Sequence, residues 1–288
     1  MEKIGFIGLG IMGKPMALNL LTAGYAVQIL QSSHAASELI EAGAKAFPNS
    51  KALASASDII ITIVPDSPQV EEVVLGTDGV LEGIKSDSLF IDMSTISPST
   101  ARKLYSLFKE KGIEALDAPV SGGQVGAESG SLSIMVGGNE TAFQRALPVF
   151  EVLGKNIVLI GEAGAGQTTK ACNQMIVGMT IQAVAEAFTL AEKAGVDLKK
   201  MREVLLGGFA HSRILDLHGN RMIEANYKPG FKIKLHKKDM DIALQEAEHY
   251  NLQLTGTAQV AKQMDTSIAM GNGELDHSSL VLVLKDNA

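Results

Sequence analysis

"KIGFIGLGIMGKPM" (residues 3–16) sets a short β-branched and aromatic run against a glycine-rich turn and the start of a helix. Gly8, Gly10 and Gly13 have the G-x-G-x-x-G spacing. In such a turn Gly8 permits the sharp reversal, Gly10 lets a pyrophosphate approach the backbone, and Gly13 lets helix and strand pack closely. The first N–H groups of the helix then face the anion. Three glycines at this spacing are common; what makes them specific is their place after the first strand of an alternating series.

That series runs outward from the turn. After 3–8, the stretches 26–30, 58–64, 89–93, 113–118, 132–138 and 156–160 read as strands, and helical patterns at 12–23, 34–42, 67–75, 98–111 and 141–153 lie between most of them. The strands are continuously apolar rather than alternating, which predicts a sheet covered on both faces, as successive βαβ units produce. From about residue 163 strand-like runs vanish and helices are predicted at 164–194, 197–206, 212–224, 236–250, 255–271 and 278–284. The fold class read here is α/β: a Rossmann-type doubly wound dinucleotide-binding domain over 1–162, then an all-α domain over 163–288 for substrate and oligomerisation. A long interdomain helix begins the second domain.

Size and charge narrow the function. A chain of 288 residues suits two medium domains, and 46% hydrophobic with 20% charged residues is the composition of a folded globular protein. A net charge of -7 argues against nucleic acid as partner, although Lys232, Lys234, Lys237 and Lys238 form a basic cluster open to a phosphate. The single cysteine, Cys172, excludes an intramolecular disulfide and a cysteine zinc site, and fits a reducing compartment. The opening residues carry no leader pattern, and the apolar stretch 161–186 is interrupted by Gln, Asn, Thr and Lys, so a cytoplasmic protein with no membrane partner is expected. The six histidines show neither metal-ligand spacing nor a Ser/His/Asp order, so no metal is expected.

The stretch "GEAGAGQTTKACNQMIVGMTIQAVAE" (161–186) holds one formal charge between its two glutamates, Lys170. On a helix, Gln167, Lys170, Asn173 and Gln174 share a face, and Cys172 is turned about 200° from Lys170. Two readings stand level on that pattern: a lysine snorkelling to the surface, or one whose ammonium lines an interdomain cleft and meets an oxygen as negative charge develops there.

Three other stretches bear on chemistry. "DAPVSGG" (117–123) offers the Ser121 hydroxyl and the N–H groups of Gly122 and Gly123, a small nest suited to a carboxylate or simply a turn. "DMSTISP" (92–98) ends a strand with Ser94 and Thr95, of which helix capping accounts for one. "KPGFKIKLHKKDMDIAL" (228–244) puts Lys237, Lys238 and Asp239 near a predicted helix start, where Asp239 suits the helix dipole and the lysines a solvated face. After Leu30, where an NAD enzyme carries an acid for the adenosine ribose, this chain has Gln31, Ser32 and Ser33. No carboxylate repels a 2′-phosphate and no arginine attracts one, so NAD and NADP both stay open, with a lean to NADP.

"GFIGLGIMGKPMALNLL", "DAPVSGG", "GAGQTTKACNQ" and "KPGFKIKLHKKDMDIAL", in this order across the whole chain, resemble the four signatures of the β-hydroxyacid dehydrogenase family. The resemblance implies hydride transfer between a nicotinamide and a small carboxylate or semialdehyde, with Lys170 as catalytic lysine assisted by Asn173. It implies that Ser121, Gly122, Gly123 and Thr95 bind substrate. Cofactor binding would fall to Gly8, Gly10, Ile11, Met12, Gly13, Gln31, Ser32, Val64, Pro65, Thr95, Phe231, Lys238 and Asp239, the last three coming from the second domain. Within the family, "GFKIKLHKKDM", "LHGNRMIEANYKPG" and "GNGELDHSSL" are most similar to a reductase of a 2-hydroxy-3-oxo acid such as tartronate semialdehyde. 3-Hydroxyisobutyrate, glyoxylate and succinic semialdehyde are the alternatives, and a catalytically silent dinucleotide-binding assembly module is the alternative of another class. A phosphogluconate-type relative would need a longer helical domain than 163–288. The long apolar helices predict a homodimer or homotetramer.

Overall fold

The structure, a computed structural model, describes residues 1–286 and separates into two compact units whose boundary falls between Lys170 and Ala171. The last two positions of the 163–288 expectation lie outside the described residues.

In the first unit the strands are β1 (Lys3–Ile7), β2 (Ala26–Leu30), β3 (Lys45–Phe47), β4 (Ile59–Thr62), β5 (Leu89–Asp92), β6 (Glu114–Asp117), β7 (Val120–Ser121), β8 (Leu132–Gly137) and β9 (Gly154–Gly161). They form one sheet in the order β3-β2-β1-β4-β5-β6-β8-β7, with β9 paired to β8. From β3 to β6 every pairing is parallel. This is the doubly wound pattern that the glycine turn and the alternating elements predict. The burial shows why the strands lack alternation: Ile59 and Ile61 pack into the core on one face while Ile60 packs with Phe90, Leu104 and Phe108 on the other.

Two strands escape the sequence pattern, β3 and β7, because three and two residues are too few to show a period. The far side of the sheet also departs from the expectation of cover on both faces. β8 runs antiparallel to β6 and β7, and β9 is an edge strand whose Val158 and Ile160 are exposed.

The long helix Ala165–Lys193 starts in the first unit and continues through the boundary. By length and apolar composition it passes for a membrane span, contrary to the expectation that no run would. Its Ile181, Ala185 and Phe188 are buried with Leu215, Met240, Val260, Met264 and Leu280, so it is the core helix of the second unit.

The remaining elements of that unit are the helices Leu198–Leu206, Arg213–Ile223, Ile233–His249 and Thr255–Ala269, the 3-10 turn His277–Leu280 and the helix Val281–Asp286. Asp197 and Ser212 cap the first two by accepting from backbone N–H groups. Helix Ile233–His249 starts before the predicted residue 236 and has no side-chain cap to announce it. Backbone bonds from Ile233 N to Leu275 O and from Lys234 N to Gly273 O set its start instead. Asp239 therefore lies in the second turn, not at the N-terminus, and the helix-dipole role expected of it does not apply.

Candidate active site

The turn expected to meet a pyrophosphate is built as its glycines require. Gly8 sits at φ +104°, and a Cβ there would stand 2.1 Å from the Ile63 carbonyl oxygen. A Cβ on Gly13 would stand 1.8 Å from the Gly8 carbonyl oxygen. Both are held by packing. Gly10 differs: nothing lies within 4 Å of where its Cβ would be, and it is exposed. The backbone is thus bare on the side where a pyrophosphate would approach, so the turn fits a dinucleotide. Ile11 is exposed beside it and Met12 half-buried. Gln31 and Ser32 follow β2 and are exposed, as a ribose-contacting pair would need to be.

Parallel strands bring the next groups to the same, carboxyl edge of the sheet. Val64 and Pro65 follow β4, Ser94 and Thr95 follow β5, and the two loops are tied by the Ser94 hydroxyl, which accepts from Val64 N at 2.9 Å. Neither Ser94 nor Thr95 caps the following helix, Pro98–Glu110; Ser97 does, accepting from Thr100 N at 3.1 Å. Ser94 is spent on Val64, and Thr95 is half-buried at the loop.

Asp117 of "DAPVSGG" is the anchor of the long helix. Its carboxylate accepts from Gly164 N at 2.7 Å and Gln167 N at 2.8 Å, offsetting the orphan N–H groups of that helix start. The Gln167 side chain then clamps the β5 loop, donating to Ser94 O at 2.8 Å and accepting from Ile96 N at 3.1 Å. Lys170 is one turn further along. It is buried, with 6% of its surface exposed, as are Gln167 and Gln174, whereas Cys172 on the opposite face is exposed. The polar stripe faces inward, which removes the snorkelling reading. Asp117 gave no signal in the sequence beyond being a polar group inside a motif, and Gln167 none beyond its place on the Lys170 face.

Asp92, the register neighbour of Asp117, is a buried carboxyl at the end of β5. Its Oδ1 accepts from Thr62 Oγ1 at 2.8 Å and Ser94 N at 3.2 Å, while its buried Oδ2 has no hydrogen-bond partner. Burial pushes its pKa up to about 6 against the opposing bonds from Ser94 and Thr62. Asp117 is raised too, again by burial. The folded chain therefore holds the Asp92 proton in a range where the unfolded chain, at 3.8, has lost it. Stability falls as pH rises from about 4 to about 6, by at most about 3 kcal/mol. Asp92→Asn, which stays neutral, is expected to be more stable than the parent at pH 7.5, with the difference closing below pH 4. Urea unfolding at both pH values measures this, and a gap that does not change with pH would remove the assignment.

Ser121 is the last residue of β7, and Gly122 and Gly123 follow at φ +136° and +62°. Two consecutive positive φ values are the reason both are glycine. Both glycines are exposed and Ser121 is half-buried, leaving the turn open to a ligand.

In the second unit the predicted residues form a group of their own. Asn173 Nδ2 donates to Gln174 Oε1 at 2.8 Å, Gln174 Nε2 donates to Asp239 Oδ2 at 2.5 Å, and Lys238 pairs with Asp239 Oδ1 at 3.0 Å. Phe231 N donates to Asp276 Oδ2 at 3.1 Å. The lysines expected to lie on a solvated face or to await a phosphate are ion-paired instead. Lys232 and Lys234 both meet Glu274, and Lys237 meets Asp241 and Asp265. Those two lysines hold Glu274 down at about 2. The fold also gathers His218, His236 and His277, which no sequence spacing announces.

Residues 3–161 match the family described as the NAD binding domain of 6-phosphogluconate dehydrogenase, and residues 164–284 that described as NAD-binding of NADP-dependent 3-hydroxyisobutyrate dehydrogenase. The chain is 49% identical to 2-hydroxy-3-oxopropionate reductase of Escherichia coli (strain K12) over 283 residues, covering 98% of this chain and 97% of the relative. It is 39% identical to 2-(hydroxymethyl)glutarate dehydrogenase of Eubacterium barkeri, covering 98% and 94%. Among solved structures, 3-hydroxyisobutyrate dehydrogenase of Mycobacterium tuberculosis with L-serine superposes with a TM-score of 0.89 at 34% identity, covering 99% of each chain.

Proposed function

The chain belongs to the NAD(P)-dependent β-hydroxyacid dehydrogenase family, and from that premise we propose that it reduces tartronate semialdehyde to glycerate. The observation that carries this reading is the end-to-end identity of 49% with a 2-hydroxy-3-oxopropionate reductase. Residues 1–162 hold the cofactor in this reading, and 163–288 serve substrate and assembly as a homodimer or homotetramer in the cytoplasm.

When bound, the nicotinamide supplies the hydride that the aldehyde carbon accepts. The Lys170 ammonium hydrogen-bonds the aldehyde oxygen and gives it a proton as negative charge gathers there, and the resulting amine is reprotonated from solvent. Burial of Lys170 strengthens that interaction, because little water screens it. Ser121, Gly122 and Gly123 hold the carboxylate and Thr95 lies beside the substrate. Asn173, its amide N–H committed to Gln174, assists the lysine with its oxygen. Gly8, Gly10, Ile11, Met12, Gly13, Gln31, Ser32, Val64 and Pro65 hold the dinucleotide, with Phe231, Lys238 and Asp239 added from the second unit. NADP is favoured over NAD, supported by the missing acid after β2 and by the NADP-dependent family that the second half matches.

Initial rates with tartronate semialdehyde, glyoxylate, succinic semialdehyde and 3-hydroxyisobutyrate, each with NAD and NADP forms of the cofactor, test the reading. The expected result is a kcat/KM for tartronate semialdehyde at least about tenfold above the others, a difference of about 1.4 kcal/mol in transition-state binding. Preference for another substrate retires the substrate and keeps the mechanism. No turnover with any of them restores the silent assembly module.

A further inference from the structure

Three imidazoles in the second unit form a continuous chain that the proposed reaction does not use. His236 Nε2 lies 3.1 Å from the Gln174 carbonyl oxygen, and His236 Nδ1 lies 3.0 Å from His277 Nδ1. His277 Nε2 lies 3.2 Å from His218 Nε2, and His218 Nδ1 lies 3.6 Å from Asp276 Oδ1. His236 and His277 are buried; His218 keeps 17% of its side chain exposed.

One carbonyl fixes the direction of the whole chain. The Gln174 oxygen can only accept, so His236 Nε2 must carry a proton. In neutral rings His236 Nδ1 is then bare and accepts from His277 Nδ1–H, and His277 Nε2 is bare and accepts from His218 Nε2–H. Burial holds His277 well below the ordinary histidine range, so the middle ring is neutral.

The far end of the chain, His218 Nδ1, faces Asp276 Oδ1. Burial opposes the charge of Asp276, but the His218 imidazole beside it and bonds from Ser278 and Phe231 hold its carboxyl well below the usual range. Arg221 stands 3.2 Å from its Oδ2.

A metal fits this cluster poorly, although the ligand atoms of His218, Asp276 and His277 are close enough together to hold one. Asp276 Oδ2 already accepts from Gly230 N and Phe231 N and pairs with Arg221, and Oδ1 accepts from the N–H and hydroxyl of Ser278. A dication would displace these bonds and sit beside a guanidinium.

Gln174 is where the chain meets the proposed site. Its backbone oxygen ends the imidazole chain, while its side chain accepts from Asn173 and donates to Asp239, which pairs with Lys238. One turn on, a Cβ at Gly178 would stand 3.3 Å from His236 Nε2 and 3.1 Å from Met240 Sδ, so the glycine lets helix Ile233–His249 come this close.

We propose that His218, His277 and His236 are positioning residues, a one-way hydrogen-bond chain that sets Gln174 and through it Asn173, Asp239 and Lys238. The roles of those last three rest on the proposed function; the chain itself does not.

Two-bond proton–nitrogen spectra of the full-length protein with 15N-labelled histidine, assigned by single His→Gln substitutions, read the chain directly. The expected forms at neutral pH are Nε2–H for His236 and Nδ1–H for His277, with Nε2 of His218 protonated. A His277 in the Nε2–H form, or an imidazolium at His236 or His277, overturns the chain.

Positioning is read by His236→Leu against His236→Gln, since glutamine can both accept from His277 and donate to Gln174. The leucine variant is expected to shift the Asn173 and Gln174 side-chain amide resonances and to lower kcat/KM about tenfold, with the glutamine variant restoring most of both. Unmoved amide resonances and unchanged kcat/KM overturn positioning. Should His236→Leu not fold, His218→Leu at the half-buried end carries the same comparison. A protein that shows the expected tautomers and amide shifts but turns over no semialdehyde keeps the chain and retires only the proposed function.

Discussion

Lys170→Ala is expected to lower kcat with tartronate semialdehyde by about 10²–10⁴-fold, the usual worth of a general acid in the transition state, while cofactor binding, followed by nicotinamide fluorescence, is unchanged. The two readouts separate because, in the proposed reaction, the lysine acts on the substrate oxygen while the turn after β1 holds the dinucleotide. The structure gives a reason to expect a clean result. The first turn of the long helix is anchored by the Asp117 carboxylate and by the clamp of Gln167 on the β5 loop, neither of which uses Lys170. Lys170→Arg should recover little, because a guanidinium does not give up its proton at neutral pH. A Lys170→Ala enzyme with near-normal kcat would refute the proton-donor role.

The second large effect comes from one methyl group placed at two positions in the same turn. Gly13→Ala puts a Cβ 1.8 Å from the Gly8 carbonyl oxygen and 2.8 Å from Ile63 Cγ2, in a buried position where backbone must move. A loss of more than about 3 kcal/mol of stability is expected, above the usual cost of overpacking because the obstacle is main chain. Gly10→Ala meets nothing within 4 Å, so stability should change by less than about 0.5 kcal/mol. Its methyl would fill the side left bare for the pyrophosphate, and cofactor affinity should fall about tenfold or more. Urea unfolding and cofactor titration of both variants decide the point. Equal loss of stability in the two, or cofactor affinity undisturbed by Gly10→Ala, would contradict this account of the turn.

The contrast between these glycines shows how far the sequence could be read. Spacing after a first strand identified Gly8, Gly10 and Gly13 together, because turn chemistry is local. It could not say which of them is held by packing and which faces open space, since that depends on how the turn folds Gly8 back over Gly13 and on Ile63 just after β4, far along the chain. The same limit applies at "DMSTISP", where Ser97 and not Ser94 or Thr95 caps the helix, Ser94 being committed to Val64 across the strand order. It applies again to Lys237 and Lys238, whose solvated appearance ignores Asp265 and Asp239.

What the sequence determined by itself is what short-range physics writes into it. Apolar runs without alternation announced the strands of the parallel part of the sheet, glycine spacing marked the tight turn after β1, and a lone lysine among small and apolar residues singled out Lys170. Tertiary structure decided everything that needs partners distant in the chain. It turned the Gln167–Lys170–Gln174 stripe inward and made Asp117 the anchor of the helix that carries the lysine. It also brought together histidines 218, 236 and 277, whose spacing spells nothing, and bonded them to one another between the Gln174 carbonyl at one end and the Asp276 carboxylate at the other.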